Sequence, residues 1–233
     1  MSRPSIRRAL RRSGAAPHPR PLRTGPGESG KIPPPKIFLP GEGGEERPVD
    51  FTAIFGRTAP VEMEVGVGKG RFLLGAAAAH RDRDFFGLEI EPEYAAIARL
   101  RAEKAGLTNV RVERLDGKGF VLRRLAPACL AALHVYFPDP WPKKRHHKRR
   151  LVDAPWASAA ARALVPGGLL RIASDHAEYF AVMNEVLSTE RLLAKISDEE
   201  AGEWSTGTNY EVKFLKSGRP ILKAVFRRVA GPS

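Results

Sequence analysis

The sequence predicts an α/β fold: a doubly wound, mostly parallel sheet that ends in an antiparallel hairpin. Three observations predict it. Short apolar runs of strand length alternate with longer helix-forming segments. The first of these runs, Val61 to Val65, passes directly into the glycine loop Gly66-Val67-Gly68-Lys69-Gly70. The end of the chain alternates through Tyr210, Val212 and Phe214, turns at Ser217-Gly218, and alternates again from Ile221 to Phe226.

The elements follow in order. Phe51, Ile54 and Phe55 form an apolar lid over the first strand, and the glycine loop leads into a helix over residues 71–79. Phe85 to Ile90 reads as the second strand. The next helix starts at Pro92, a residue tolerated in a first turn, and stops at Gly106. Val110 to Leu115 is the third strand and Ala132 to Phe137 the fourth. A long polar loop and a helix to about Val165 come next, broken by Pro166-Gly167-Gly168. Leu169 to Ala173 is the fifth strand, followed by a helix over residues 176–188.

Residues 1–48 read as a basic, Pro/Gly-rich, disordered extension and residues 49–230 as one folded domain. Seven arginines lie between Arg3 and Arg23, no acid precedes Glu28, and such a segment buries too little apolar surface to offset its ordering entropy. The formal charge of the chain is +13, which suits a polyanionic partner. No apolar run approaches membrane-spanning length, and the start of the chain lacks the apolar core of a secretory signal. The single cysteine, Cys129, excludes an internal disulfide, reads as a buried thiol and fits a reducing, cytoplasmic setting.

Three acids stand at successive strand ends. Glu64 precedes Gly66, Gly68 and Gly70. Position 71 or 73 would carry the third glycine of a dinucleotide fingerprint, but these are Arg71 and Leu73. Gly68-Lys69 is followed by Gly70 rather than Ser or Thr, which weakens a nucleoside triphosphate reading. An acid in front of such a loop suits the cationic amino-acid end of S-adenosylmethionine. Glu89, 25 residues after Glu64, is placed to accept from two ribose hydroxyls, whereas Glu91 is expected to cap the following helix. Asp116 either receives the adenine amino group or caps the next helix. No metal ligand cluster is expected.

The fourth strand runs into Phe137-Pro138-Asp139-Pro140-Trp141-Pro142. Lys143, Lys144, Arg145, His146, His147, Lys148, Arg149 and Arg150 follow, six formal positive charges in eight residues. In a sheet of this class that position lines the cleft, so Lys144, Arg145, His146, Lys148, Arg149 and Arg150 are candidate phosphate ligands. Trp141 either stacks on a base or packs beneath the loop. Prolines on both sides hold Asp139 on a stiff backbone. A carboxylate there can accept from guanine N1 and N2, a donor pair that adenine lacks, and Asp175 is a second candidate for the same edge. Thr208-Asn209-Tyr210-Glu211 supplies a further polar group, or else ordinary turn chemistry.

These motifs resemble those of the bacterial tRNA (guanine-N7-)-methyltransferases. The resemblance rests on Glu64 through Gly70, Gly87 through Ile90, Phe137 through Leu151, Ser174-Asp175 with Tyr179, and Thr208 through Phe214, and it extends over residues 48–229. It implies the class I S-adenosylmethionine-dependent methyltransferase (Rossmann-like) fold and methylation of guanine 46 in the tRNA variable loop. It also implies S-adenosylmethionine as cofactor, tRNA as partner, and either a monomer or a homodimer. By the same resemblance the cofactor acids fall on Glu64, Glu89, Asp116 and Asp139; Gly66 and Gly68 let the backbone come close to the cofactor, and Asp139 is the catalytic candidate because a carboxylate there favours a base that becomes cationic. Lys143, Asp175, Thr208, Asn209, Tyr210 and Glu211 fall on the substrate positions. Ser174 stands where many members have Thr. Rival functions are methylation of another RNA or of a protein, and noncatalytic RNA binding; the acid–glycine loop argues against the last.

Overall fold

The computed structural model describes residues 47–201, 207–208, 211, 218 and 220–230. The helix α1 (Phe51–Phe55) starts where the Asp50 side chain accepts from the Ala53 amide, and it buries Phe51 and Ile54. Strand β1 (Val61–Val65) leads through the glycine loop to α2 (Arg71–Ala79). Then come β2 (Asp84–Glu89), α3 (Pro92–Lys104), β3 (Val110–Arg114), α4 (Gly117–Arg124) and β4 (Leu130–Tyr136). A 3-10 helix (Lys144–Arg149) precedes α5 (Ala154–Ala163), β5 (Leu164–Ser174), α6 (Ala177–Ser188), β6 (Leu193–Ile196), α7 (Asp198–Ala201) and β7 (Leu222–Arg228).

The seven strands form one sheet in the order β3-β2-β1-β4-β5-β7-β6. The first five pair in parallel, and β7 runs antiparallel to both β5 and β6. Strand order reverses between β1 and β4, so their carboxyl ends lie side by side at the switch point where open α/β sheets bind ligands.

The two faces of the sheet differ. Met63, Val65, Phe86, Leu88, Leu133, Val135, Leu170 and Ile172 point into one continuous apolar core with α1, α4, α5 and α6. Alternation sends Glu62, Glu64, His134 and Tyr136 to the other face, where Phe72 of α2 packs on the rings of His134 and Tyr136 at centroid distances of 4.7 and 4.9 Å. Farther along that face, Leu73, Phe85, Ala95, Ala98 and Val112 form a second, smaller core beneath α2 and α3.

Val49, the first residue of the expected folded domain, is buried and donates to the Arg124 carbonyl. Several expectations change. Pro166-Gly167-Gly168 does not separate helix from strand. It lies inside β5 as a bulge: Leu130 pairs with Leu164 but Ala132 pairs with Leu169. The antiparallel hairpin partner of β7 is β6, which the alternation around Tyr210 did not indicate; residues 209–210 and 212–217 lie outside the described residues, as do 1–46. Cys129 is half-buried rather than buried, and burial still pushes its thiol up to about 11. Among the described residues no helix is long and apolar enough to cross a membrane.

Candidate active site

The carboxyl ends of β1 to β4 open onto a cavity of ≈ 520 Å³, a size that suits a small organic cofactor. Glu64, Gly66, Gly68, Glu89, Asp116 and Asp139 all line it. Residues from four strand ends thus meet in one place.

The glycine loop is built around backbone angles that side chains disfavour. Gly66 and Gly68 have φ of 83° and 53°, in the left-handed region. The amides of Gly66 and Val67 both donate to the Leu88 carbonyl, at 2.8 and 3.1 Å, which staples the loop to the end of β2. Glu89 completes that attachment. Its two carboxylate oxygens accept from the Gly68 amide at 2.7 Å and the Glu91 amide at 3.0 Å. Glu91 occupies the N-cap position of α3, but its side chain makes no capping bond, contrary to expectation. Asp116 does cap its helix: it accepts from the amides of Lys118 and Gly119 at 3.1 and 3.0 Å while also facing the cavity. Each carboxylate keeps lone pairs beyond those its backbone partners use.

Glu64 is buried, and its Oε2 has no hydrogen-bond partner among the described residues. Burial pushes its carboxyl up to about 8, against a backbone hydrogen bond from Leu73 and with help from the charge of Glu89. A buried orphan acceptor of this kind calls for a ligand that brings a donor and a positive charge.

The loop after β4 is strained. Phe137 and Trp141 both have positive φ, 53° and 43°, which bulky residues adopt only when their surroundings enforce it. The Phe137 amide is held by the Ala173 carbonyl at 2.8 Å. Between the two strained residues Asp139 is exposed at the cavity. Trp141 lies edge-on to His146, the Arg149 guanidinium sits 4.9 Å from its ring centre, and Trp141 also lines the cavity.

The basic run divides into two kinds of residue. Lys143, Lys144, Arg145, Lys148 and Arg149 are exposed, His146 is half-exposed, and Arg149 also lines the cavity. Arg150 departs from the expectation of a phosphate ligand. It is buried, donates through Nε to the Pro140 carbonyl at 2.9 Å, grips the Glu178 carboxylate with both terminal nitrogens and stacks on Tyr179. Its hydrogen-bonding fork is spent inside the protein.

The remaining predicted positions lie around this centre. Thr208 lines the cavity, and its hydroxyl accepts from the Glu211 amide at 3.0 Å. Glu211 in turn accepts from the Gly207 amide at 2.7 Å and pairs with Lys223 at 2.8 Å. Much of the Thr208–Glu211 signal is therefore reciprocal turn capping. Among the described residues, Lys143 and Asp175 do not line the cavity. Asn209 and Tyr210 lie outside the described residues. Sequence reasoning missed Tyr136, Arg71 and Lys118 in the cavity wall. The signal for Tyr136 was present: it continues the alternation of His134 on a face that also carries Glu62 and Glu64.

Comparison with known proteins bears on this arrangement. A family profile described as "Putative methyltransferase" matches residues 58–224. A tRNA (guanine-N(7)-)-methyltransferase of Cutibacterium acnes is 43% identical over 186 residues, covering 78% of this chain and 67% of that protein. The protein of that name from Nitrosomonas eutropha is 37% identical over 187 residues, covering 79% of this chain and 84% of its own length.

The chain belongs to the tRNA (guanine-N7-)-methyltransferase family.

Members of the family are methyltransferases, and the fold agrees. The 16S rRNA methyltransferase KamB superposes with a TM-score of 0.52 at 15% identity, covering 77% of this chain and 93% of its own. TrmN from Thermus thermophilus gives 0.52 at 16% identity, covering 78% of this chain and 45% of its own. At that identity these structures speak to the fold alone, which is that of the class I S-adenosylmethionine-dependent methyltransferases.

Proposed function

We propose that this chain transfers a methyl group from S-adenosylmethionine to N7 of guanine in tRNA, at guanine 46 of the variable loop. One observation carries the reading: a single cavity is lined both by Glu64 with its glycine loop and by Asp139 of the loop that leads into the basic run. The relatives named for this activity, 37–43% identical to the chain, support the choice of base and of RNA class.

The residues present fit this cofactor. Glu64, with its orphan oxygen, would take the cationic amino-acid end. Glu89 would accept from the ribose hydroxyls with the lone pairs left by Gly68 and Glu91, and Asp116 would accept from the adenine amine. When bound, S-adenosylmethionine supplies an electrophilic methyl group on a sulfonium.

Guanine N7 carries an in-plane lone pair and no proton, so the protein needs no general base to create the nucleophile. Its tasks are alignment and charge. Asp139, exposed at the cavity on a stiffened loop, would favour the purine as it becomes cationic. Asp175 would take the opposite, N1 and N2, edge of the base. Lys143 and Thr208 through Glu211 would line the approach. Lys144, Arg145, His146, Lys148 and Arg149 would hold phosphates in the cytoplasmic tRNA substrate; Arg150 is excluded from that set by its internal bonds.

The test is to incubate the protein with unfractionated, unmodified tRNA and labelled cofactor, then map the label by nucleoside analysis and by position. Label in 7-methylguanosine within the variable loop is expected. Label on another atom or another base would overturn the assignment, and label in protein alone would overturn the substrate class.

A further inference from the structure

The face of the sheet beneath α2 holds a polar chain that the mechanism above leaves unused. The opposite face of β1 and β4 is apolar throughout, with Met63, Val65, Leu133 and Val135 in the core. On this face Glu64 stands in register with His134, and Glu62 and Tyr136 flank them one alternation away. His134 Nε2 lies 2.9 Å from Glu62 Oε2, and His134 Nδ1 lies 2.8 Å from the Tyr136 hydroxyl. Arg83 donates to the other oxygen of Glu62. Glu62, His134 and Tyr136 are 5%, 1% and 5% exposed, and of the three only Tyr136 lines the cavity. Burying three polar groups where the other face uses aliphatics costs stability.

The chain runs in one direction, and charge sets it. Burial works to raise the Glu62 carboxyl, but the hydrogen bonds from His134 and Arg83 outweigh it and hold the group below its ordinary range. Glu62 is therefore an anion that only accepts. Burial also holds the His134 imidazole below its ordinary range despite Glu62, so at neutral pH the ring is uncharged and carries one proton. With the ring neutral, the Arg83 guanidinium and a single imidazole N–H are what keep Glu62 ionised. That N–H must be on Nε2, facing Glu62. Nδ1 is then bare and accepts the Tyr136 O–H. Burial raises the Tyr136 phenol, so it keeps its proton to donate. With its proton committed to His134, the Tyr136 oxygen can meet a cavity ligand only as an acceptor.

We propose that Glu62 and His134 are positioning residues that turn the Tyr136 hydroxyl so its oxygen, beside Glu64, accepts a hydrogen bond from the α-ammonium group of the methyl donor. The α-ammonium is the cationic N–H donor of that molecule; its sulfonium has no proton to give. This inference rests on reading the cavity as the cofactor site.

Calorimetry with S-adenosylmethionine and S-adenosylhomocysteine tests it, because both carry the ammonium and only the first carries the sulfonium. Tyr136→Phe keeps the ring against Phe72 and is expected to weaken both ligands roughly tenfold, the scale of a lost hydrogen bond to a charged group. His134→Leu is expected to do the same, and the double variant to lose no more than either single one, since both break one chain. His134→Gln should recover most of the affinity, because its amide can donate to Glu62 and accept from Tyr136. Nitrogen NMR of the ligand-free parent should show a neutral His134 protonated on Nε2, which needs no variant to fold. Unchanged affinity in Tyr136→Phe, additive losses in the double variant, or a proton on Nδ1 would each overturn the proposal while leaving the cofactor site intact. A folded parent that binds neither nucleoside would overturn the cofactor reading and this inference with it.

Discussion

Arg150 grips Glu178 with two parallel hydrogen bonds, at 3.0 and 2.9 Å, across 28 residues of sequence. The same guanidinium holds the Pro140 carbonyl at 2.9 Å, next to Asp139, and Lys118 donates to the Arg150 carbonyl at 2.8 Å. Arg150 therefore ties the loop after β4 to the start of α6 and to α4. Glu178 is 54% exposed, so the charge attraction is screened. What matters is the geometry that the fork imposes.

Arg150→Met should lower both the melting temperature and the methylation rate, because two strained residues would lose the bond that holds their loop. Arg150→Lys should not restore the rate, since an ammonium cannot span Glu178 and Pro140 together. The salt dependence of tRNA binding should be unchanged in both. By contrast, replacing Lys143, Lys144 and Arg145 together with Ala should leave the melting temperature intact and reduce the salt slope by up to about 3, if all three neutralise phosphates. Filter binding at several salt concentrations, with melting curves, separates the two. A reduced slope in Arg150→Met would return that residue to the phosphate set.

Glu89→Ala should unseat the glycine loop as well as remove ribose contacts, since its carboxylate holds the Gly68 and Glu91 amides. Cofactor affinity should fall roughly 10-fold or more, the scale of lost charge-assisted bonds. Amide exchange at Gly68 in the ligand-free protein should quicken. Unchanged Gly68 protection would show that the loop stands without Glu89.

Cofactor binding should depend on pH through Glu64. Its carboxyl, raised by burial to about 8, is largely protonated at neutral pH in the ligand-free protein, and a cationic ligand favours the carboxylate. Affinity should therefore rise across pH 6 to 7.5, below the range near 7.7–8.0 where an α-amino group loses its own proton. The effect on stability has the opposite sign. A raised folded-state value means that the contribution of Glu64 to ligand-free stability is full below its ordinary value, 4.5, and is lost as pH rises through about 8. Glu64→Gln should flatten both profiles, with weaker binding throughout. Calorimetry and melting curves across that range check the pair of signs; a wild-type affinity independent of pH would contradict the role.

Asp139→Asn should cut the single-turnover rate at saturating cofactor and tRNA by roughly 10²-fold, because the charge facing a developing cation is lost while the size is kept. Affinity for tRNA should barely change, since phosphate contacts do not need this carboxylate. A rate within twofold of the parent would remove Asp139 from the chemistry.

The strand ends and their acids were legible in the sequence because the signals are local. Glycines with left-handed angles mark a loop wherever they sit, and apolar alternation marks a strand face without reference to its neighbours. Glu64, Glu89 and Asp116 were singled out by their strand-end positions and Asp139 by its flanking prolines and the family resemblance, and all four line one cavity. Boundaries shifted where partners decide them. The bulge at Pro166-Gly167-Gly168 exists because β4 continues to pair with β5 around it, and β6 is only four residues long and owes its place to β7.

The sequence by itself determined the succession of β1 to β5 with the helices α2, α3, α5 and α6, the acid–glycine loop and the concentration of positive charge after β4. Each depends on residues within one turn or one strand of each other. Only the tertiary structure decided which like residues do unlike things. Arg149 faces the cavity over Trp141, while its neighbour Arg150 is buried against Glu178 and Tyr179. Glu62 and Glu64 are two residues apart on one strand face, yet one is ionised by Arg83 and His134 and the other is held protonated by burial. A side chain's type is written in the sequence; its partners and its dielectric surroundings come from residues far away along the chain, and these set its charge and its task.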